Sequence, residues 1–404
     1  MRAARVKKFC TFLPFLFPLV ATSASAFQIS PCLRILTYES GGLGQEAINW
    51  FNKCAMLPEV TGLAVHEHLT NFSTEEYRGH GFITTEQVLS KIPAHVKQEL
   101  KYREPQERWF ILNPQRRHST SDLIYGAWWN DDPLMFLWGE GFALSRNSFT
   151  FREFFSDPDQ AYYPAAKSYC KTIERTKSLG WTTHYGALQH LHFMSETPKA
   201  ESKADRVNVT VEKSLAWIKF AYAVAKHDIP YNARLTSEKL SALRVPSLVD
   251  NYCLKNDEHV TVRTLFSRVD FPDDRRERMV PDVALGSIFH IIQDSFSPSH
   301  TCRIEEAVNG KSYAVLSDVY NYSDQVKVRG GKAHHGSLDK YPQWLLEYAR
   351  TGAHKYDNDP ISVGAWLLEA VDTNKDWDVV RDHLLNTVFK EASGERNRNK
   401  CIGT

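Results

Sequence analysis

The sequence has almost no excess of charge of either sign, with 49 Lys and Arg residues against 48 Asp and Glu residues. A chain this close to neutrality has no overall field to attract nucleic acid, so we do not expect a nucleic-acid partner. The cysteines form no C-x-x-C pair, which argues against a cysteine zinc site. Repeats and low-complexity tracts are also absent, so one large domain is the simplest interpretation.

Long apolar runs are scarce, and the strongest candidate lies at the amino terminus. Residues 1–26 begin with basic side chains, continue as an apolar run and finish on a small-residue triplet that ends at Ala26, an order typical of a secretory signal peptide. A membrane anchor would need roughly 20 apolar residues, and Pro14 and Pro18 interrupt this run. We therefore expect cleavage near Ala26 and a secreted, soluble product, extracellular or periplasmic, that spans 27–404.

The cysteine count of this product favours disulfides. Of seven cysteines, Cys10 lies in the leader, and an even number remains. An even count in an exported protein indicates disulfide bonds, but sequence cannot rank the fifteen pairings of six cysteines. The six are Cys32, Cys54, Cys170, Cys253, Cys302 and Cys401.

Apolar residues recur mostly at helical spacing, whereas clear strand alternation is rare. The predicted fold class is therefore all-α, a multi-helix domain with long loops and few short strands; a split into two domains at about residue 200 is the alternative. Helices are predicted at 45–55, 59–72, 180–195, 210–227, 281–296, 338–351 and 361–391, short strands at 314–321 and 325–329, and polar breaks near 196–208, 272–278 and 329–336.

The segment 286–303 carries the strongest chemical signal. His290 and Asp294 are four residues apart, so on a helix they project from one face and can hold one ion together. Pro298 is expected to end the helix, which lets His300 fold back beside that face. The alternative is a polar face on which the pair only hydrogen-bonds. The flanking apolar residues predict burial, and a buried ionisable pair needs a compensating partner.

A second fragment has the same spacing. His335 and Asp339 again form H-x-x-x-D, after a glycine-rich loop, and they converge if residues 337–339 open a helix. A solvent-exposed loop is the alternative, and His334 is the rival for the ligand role.

Further histidines lie on predicted helices. His184 and His192 share one side of a helix on which His190 points away, and His66 lies near the expected mature amino terminus. No H-E-x-x-H occurs, so the zinc-protease motif is excluded.

An aromatic run before residue 133 ends in two carboxylates. Asp131 and Asp132 follow Trp128 and Trp129, either as candidate ligands or as an Asp-Pro turn beside buried tryptophans.

The order of these pieces resembles a family, the zinc-dependent phospholipase C and single-strand nuclease superfamily. The pieces are an early His, W-x-D, L-H-F, H-x-x-x-D-x-x-x-x-x-H and H-x-x-x-D. The spacing His290-x3-Asp294-x5-His300 is the most specific part, and the resemblance runs from about residue 60 to 340. Three fragments, V-H-E-H-L-T, G-A-W-W-N-D-D-P and H-Y-G-A-L-Q-H-L-H-F-M, are more similar to the secreted bacterial phospholipase C branch, of the Pseudomonas and Legionella type, than to the nucleases.

The resemblance implies two to three zinc ions and a ligand set. It assigns Asp131, His192, His290 and Asp294 to the first ion, His300, His335 and Asp339 to the second, and His66 to the third, with Asp294 bridging. Asp131 is preferred to Asp132 because it stands third in W-x-D. Asp131 is also the candidate catalytic base, and His184 and Trp129 are candidate substrate-binding residues, the latter through cation–π contact with a head group.

Two departures from the family pattern affect these assignments. Classical family members bind the third ion through a mature amino-terminal Trp. The expected amino terminus here is Phe27, about forty residues before His66 in the sequence. Asp131 and His192 are also about sixty residues apart, which implies an insertion between them.

The implied activity is hydrolysis of phosphatidylcholine-type phospholipids at membrane surfaces to diacylglycerol and a phosphorylated head group. No stable protein partner is implied. The alternatives are a single-strand-preferring zinc nuclease of the same fold and a non-catalytic, metal-stabilised surface-binding protein.

Overall fold

Helices make up most of the regular structure in the computed structural model, which describes residues 66, 69–70, 73–74, 77, 118–131, 188–196, 202–235, 261–267, 271–321, 342, 344–345, 354–393 and 401–402. Residues 66, 69, 70, 73, 74 and 77 are helical. The longer elements are α1 (Thr120–Trp129), a 3-10 helix (Gln189–His192), α2 (Lys203–Ala225), α3 (Val262–Phe266), α4 (Asp273–Asp294), β1 (Thr301–Val308), β2 (Lys311–Val319), α5 (Pro360–Asp372) and α6 (Trp377–Asn386). One cluster of buried apolar side chains includes residues of all these α-helices and of β2.

Helix α1 lies in the core and has no polar face. Its first turn is capped by Ser119, whose hydroxyl oxygen accepts a hydrogen bond from the backbone N–H of Asp122 at 3.3 Å. Every residue from 122 to 131 is buried. A helix buried on all sides lacks the amphipathic periodicity by which surface helices are found. With only ten residues as well, α1 has too short a pattern to be predicted from spacing, unlike the longer buried helix α4 (Asp273–Asp294).

Two glycines allow α1 and α4 to pack closely. A Cβ atom on Gly126 would lie 2.2 Å from the carbonyl oxygen of Val283, and a Cβ atom on Gly286 would lie 2.0 Å from that of Leu123. Both distances are far below van der Waals contact, so the backbones approach as closely as they do because neither position carries a side chain. This contact fixes the spacing of the two helices that carry Asp131 and His290.

The charged segment 272–278 is the first two turns of α4 and not the polar break that its composition predicted. Its charges pair along the helix surface, with Arg278 3.0 Å from Asp274 and Arg276 3.6 Å from Asp273. Such pairs stabilise a helix, and acidic residues in the first turn also interact favourably with its dipole. Charge pairing therefore extends the helix beyond its apolar part.

Strands β1 and β2 form an antiparallel hairpin directly after α4, with Thr301 opposite Val319 and Val308 opposite Lys311. The two-residue turn is Asn309-Gly310, whose φ angles of 51° and 77° are both positive. Positive φ at both positions is typical of the type I′ turn that joins tight hairpins. The sequence interpretation predicted a strand only at 314–321, so it found most of β2 and missed β1. The other predicted strand, at 325–329, lies outside the described residues.

The carboxyl-terminal region is fastened to the hairpin. Cys302 and Cys401 form a disulfide, and the backbone N–H of Ile402 donates to the carbonyl oxygen of Arg303 at 2.7 Å. The buried guanidinium of Arg303 donates to the carbonyl oxygens of Ser295, at 2.6 Å, and of Val388, at 2.8 Å. The loop after α4 is thus held from several sides.

Several predictions fall on residues that the structure does not describe. These are the leader at 1–26, the helix at 45–55, the break at 329–336, most of 59–72 and most of 338–351. The described residues combine mainly helices with one small sheet, and the all-α class remains a prediction. Within the described part, no helix combines the length and apolar character needed to cross a membrane.

Candidate metal centre

Six imidazole and carboxylate side chains from separate parts of the chain meet at one end of α1 and α4. They are His66, Asp131, His192, His290, Asp294 and His300. Asp131 follows the end of α1, His192 ends the 3-10 helix, and His290 and Asp294 occupy the last turns of α4. The chain distance between the first and last of these residues shows that tertiary packing assembles the cluster.

Three of these side chains, those of His192, His290 and Asp294, form a group that could hold one metal ion. His290 Nε2 lies 2.8 Å from Asp294 Oδ2 and 2.9 Å from His192 Nδ1, and His192 Nδ1 lies 3.2 Å from Asp294 Oδ2. Asp131 Oδ1 lies 3.9 Å from each of these two nitrogen atoms. Ligand atoms about 2.0–2.1 Å from a tetrahedral zinc ion are about 3.3 Å apart. The three separations among His192, His290 and Asp294 are slightly below that value, so these residues could hold one zinc ion, and Asp131 lies further out beside them.

Asp294 also faces a second group of ligands. Its other oxygen, Oδ1, lies 3.3 Å from His66 Nε2. The His66 ring stacks on the His290 ring with 3.9 Å between centroids. His66, Asp131 and His290 also form a group able to hold an ion. A carboxylate with one oxygen towards each group is suited to bridge two ions.

Hydrogen bonds donated by Nδ1 orient two of the histidines in the cluster. The Nδ1 atom of His290 lies 2.6 Å from the carbonyl oxygen of Ala127, and that of His300 lies 2.6 Å from the carbonyl oxygen of His192. A carbonyl oxygen only accepts, so Nδ1 carries the proton and the lone pair of the neutral ring is on Nε2. Metal-binding histidines are commonly oriented in this way.

His66 is oriented in the same way by a side-chain amide. Its Nδ1 lies 2.8 Å from Gln293 Oε1, and the amide nitrogen of Gln293 donates to the hydroxyl of Thr70 at 3.0 Å. The lone pair of His66 Nε2 therefore points towards Asp294. Gln293 was not singled out from the sequence; the available signal was a buried amide directly before a predicted ligand.

Burial and charge put these groups in the protonation states that metal binding requires. Burial lowers the pKa of His290, and the nearby His66 lowers it further, against the opposite effect of Asp294. Burial alone would raise the pKa of Asp294, but His290, His300 and His66 hold it well below its usual range. At neutral pH the site thus presents a neutral imidazole and an ionised carboxylate, the forms that bind zinc.

The charge of Asp294 needs a cation other than a basic side chain. In the part of the chain that the structure describes, its ion pairs are all with histidines. Asp294 is 1% exposed and His290 is fully buried. A buried carboxylate is costly unless positive charge lies beside it, which a metal ion bound among these histidines would supply. His66 is the more accessible ligand, with 17% of its side chain exposed.

The structure does not describe the remaining candidate site residues. His184, His334, His335, Asp339 and Asp132 are outside the described residues, so the second predicted ion is represented here by His300 alone.

Two described residues near the predicted ligands belong to the core. Trp129 is fully buried, its indole N–H donates to the carbonyl oxygen of Leu265 at 2.7 Å, and its ring stacks on Trp217. Its substrate-binding role stays a prediction. His190 is buried but belongs to neither group of potential ligands.

No family model, no curated protein and no solved structure matches this chain.

Proposed function

We propose that this protein is a secreted, zinc-dependent phosphoric diester hydrolase that acts on phosphatidylcholine-type phospholipids. One observation carries the proposal, the meeting of His192, His290 and Asp294 at separations that suit a zinc ion, with Asp131 beside them. The motif order that resembles the zinc-dependent phospholipase C superfamily supplies the reaction class.

The described ligands could hold more than one ion. Asp294 presents one oxygen to His290 and His192 and the other to His66, so it can join two ions at a short distance. When bound, zinc polarises phosphoryl oxygens and lowers the pKa of a coordinated water.

Asp131 is the proposed proton acceptor. Its Oδ1 is further from the two histidine nitrogens, at 3.9 Å, than the oxygen of Asp294 is, and it is less buried than Asp294, at 7% exposed. A carboxylate at the edge of the cluster is placed to take the proton of the attacking water. Water then adds to phosphorus as Asp131 takes its proton, the bond from phosphorus to the diacylglycerol oxygen breaks, and that oxygen receives the proton from Asp131, which leaves diacylglycerol and the phosphorylated head group as products.

The near-neutral composition supports a phospholipid substrate over nucleic acid. A phosphodiester anion is attracted by the dications themselves, so binding one requires little other positive charge. A protein that grips a polynucleotide usually neutralises several phosphates with Lys and Arg. With 49 basic and 48 acidic residues, the chain has no such overall surplus.

The test is a metal count and a substrate panel on the purified chain that begins at Phe27. We expect zinc to be bound, release of the phosphorylated head group from phosphatidylcholine, loss of that activity with a chelator and recovery with zinc. His290→Ala and Asp294→Ala should each lose both zinc and activity, whereas the buried control His190→Gln should keep both.

Each other result contradicts part of the proposal. Rapid cleavage of single-stranded nucleic acid with inert phospholipid would assign the site to a nuclease. Full zinc occupancy without turnover of any phosphodiester would identify a metal-stabilised binding protein. A chain that binds no zinc would remove the basis for both enzymes.

A further inference from the structure

A buried polar network lies beside the proposed metal ligands. The side-chain amide nitrogen of Asn130 donates to the carbonyl oxygen of Leu191 at 2.7 Å and to that of Ser287 at 3.3 Å. The hydroxyl of Ser287 donates to Asn130 Oδ1 at 2.7 Å and accepts from the indole N–H of Trp217 at 2.9 Å. Asn130 and Ser287 are fully buried. Both N–H groups and the oxygen of the Asn130 amide are therefore engaged within the protein.

Each residue that the Asn130 amide contacts is a close chain neighbour of a proposed ligand. Asn130 itself precedes Asp131, and Leu191 precedes His192. Ser287 lies one helical turn before His290 in α4. The network thus joins the end of α1, the 3-10 helix and α4 at the points where these elements present their ligands.

Burying polar groups costs free energy that apolar side chains filling the same space would not cost, so we expect the network to have a role beyond packing. A buried amide or hydroxyl that loses its partner destabilises the folded protein, so every member of the network depends on the others. A fully satisfied network in an apolar core selects one arrangement of the elements that it connects. Here Trp217, on α2, extends that selection to a fourth element.

We infer that Asn130 and Ser287, supported by Trp217, are positioning residues that set the spacing of Asp131, His192 and His290. This inference rests on the proposed metal-dependent function. It adds that the affinity and coordination geometry of the site depend on residues that touch no ion. Replacement of a hydrogen-bonding partner outside the ligand set typically weakens metal affinity about 10–100-fold.

Two variants test the network. Ser287→Ala removes the hydroxyl that joins Asn130 to Trp217. Trp217→Phe removes the indole donor, together with part of the ring that stacks on Trp129, and retains the bond from Ser287 to Asn130. Zinc affinity is measured by competition with a chromophoric chelator, and coordination geometry by the visible absorption of the cobalt-substituted protein. We expect Ser287→Ala to bind zinc about 10-fold more weakly and to change the cobalt spectrum, with a smaller change in the same direction for Trp217→Phe.

The matched control is Tyr222→Phe, also on α2. The Tyr222 hydroxyl donates to the carbonyl oxygens of Ala370, at 3.0 Å, and Lys375, at 2.8 Å, away from the ligands. This variant should lose stability towards urea and keep both the zinc affinity and the cobalt spectrum. A purely structural role for Ser287 would make Ser287→Ala behave in the same way.

The unaltered chain is titrated first, which separates the two proposals. If it binds zinc, and the folded network variants keep its affinity and spectrum, the positioning inference is wrong while the metal centre stands. If Ser287→Ala does not fold, the spectrum of Trp217→Phe decides. If the unaltered chain binds neither zinc nor cobalt, both proposals fail.

Discussion

Raising the pH from 6.5 towards 9 should destabilise the folded protein through one buried histidine. His118 precedes α1, and its Nδ1 lies 2.6 Å from Asp282 Oδ1, while its Nε2 lies 3.3 Å from Asp372 Oδ1. Asp372 also accepts a hydrogen bond from the hydroxyl of Tyr77, and Asp282 accepts one from the backbone N–H of Ser119 at 2.6 Å. A protonated imidazole thus links α4 to the end of α5.

The size of the effect follows from the pKa of His118. Burial alone would lower this pKa, but Asp372 and Asp282 together raise it from 6.5 to about 9. Between these two values the folded chain holds one proton more than the unfolded chain, so stability falls by about 1.4 kcal/mol for each unit of rising pH. The full contribution, about 3 kcal/mol, is present below pH 6.5 and is lost above about pH 9. That loss is a large fraction of the roughly 5–15 kcal/mol stability of a typical domain.

The assay is urea unfolding across this pH range, in the presence of a chelator so that metal binding does not contribute. The unaltered chain is compared with His118→Gln, which cannot hold the proton. The control is His383→Gln. Burial, with a smaller effect of Lys375, lowers the pKa of His383 to about 4, so that residue is neutral throughout the range. We expect the control to retain the slope and His118→Gln to lose it. Equal slopes for His118→Gln and the unaltered chain would refute the assignment of the proton to His118.

Two further predictions concern packing and the disulfide. Gly286→Ala places a Cβ atom 2.0 Å from the carbonyl oxygen of Leu123 and should cost about 1–3 kcal/mol of stability and weaken zinc binding, because α1 and α4 must separate; Gly310→Ala, in open space at φ +77°, should cost about 1 kcal/mol and leave zinc binding unchanged. Equal zinc affinity in both would contradict the role given to the helix spacing. Replacing both Cys302 and Cys401 with Ala removes a crosslink over a sequence separation of 99 residues and should cost about 2–4 kcal/mol in urea unfolding. An unchanged unfolding free energy would show that the crosslink adds nothing to the folded state.

Local patterns in the sequence located much of the helical framework. The apolar spacing in 210–227 and 281–296 pointed to α2 and to the buried part of α4, because apolar side chains that face a core recur every three to four residues along a long helix. The same rule placed His290 and Asp294 on one face, where their side chains lie 2.8 Å apart. Helix α1 and strand β1 were missed, the first because its ten buried residues are too few to show that recurrence, and the second because the Asn309-Gly310 turn was not used as a signal.

The order of amino acids sets which groups are available for chemistry and the local geometry within each helix or strand. A four-residue spacing on a helix brings two side chains together whatever the rest of the chain does. The approach of Asp131 and His192 to that pair of side chains depends on tertiary packing. It requires α1 to approach α4 at Gly126 and Gly286, which is a contact between backbones that no spacing rule contains.

Tertiary packing also sets the orientation of the imidazole rings. The carbonyl oxygens of Ala127 and His192 fix which nitrogen of His290 and His300 bears the proton. Nearly every residue has a backbone carbonyl, so the identities of Ala127 and His192 give no sign that their carbonyls orient a ring. Only the folded position of a carbonyl makes it the acceptor for a particular imidazole. Side-chain chemistry is thus a property of the sequence, whereas the direction in which each lone pair points depends on where the packed backbone lies.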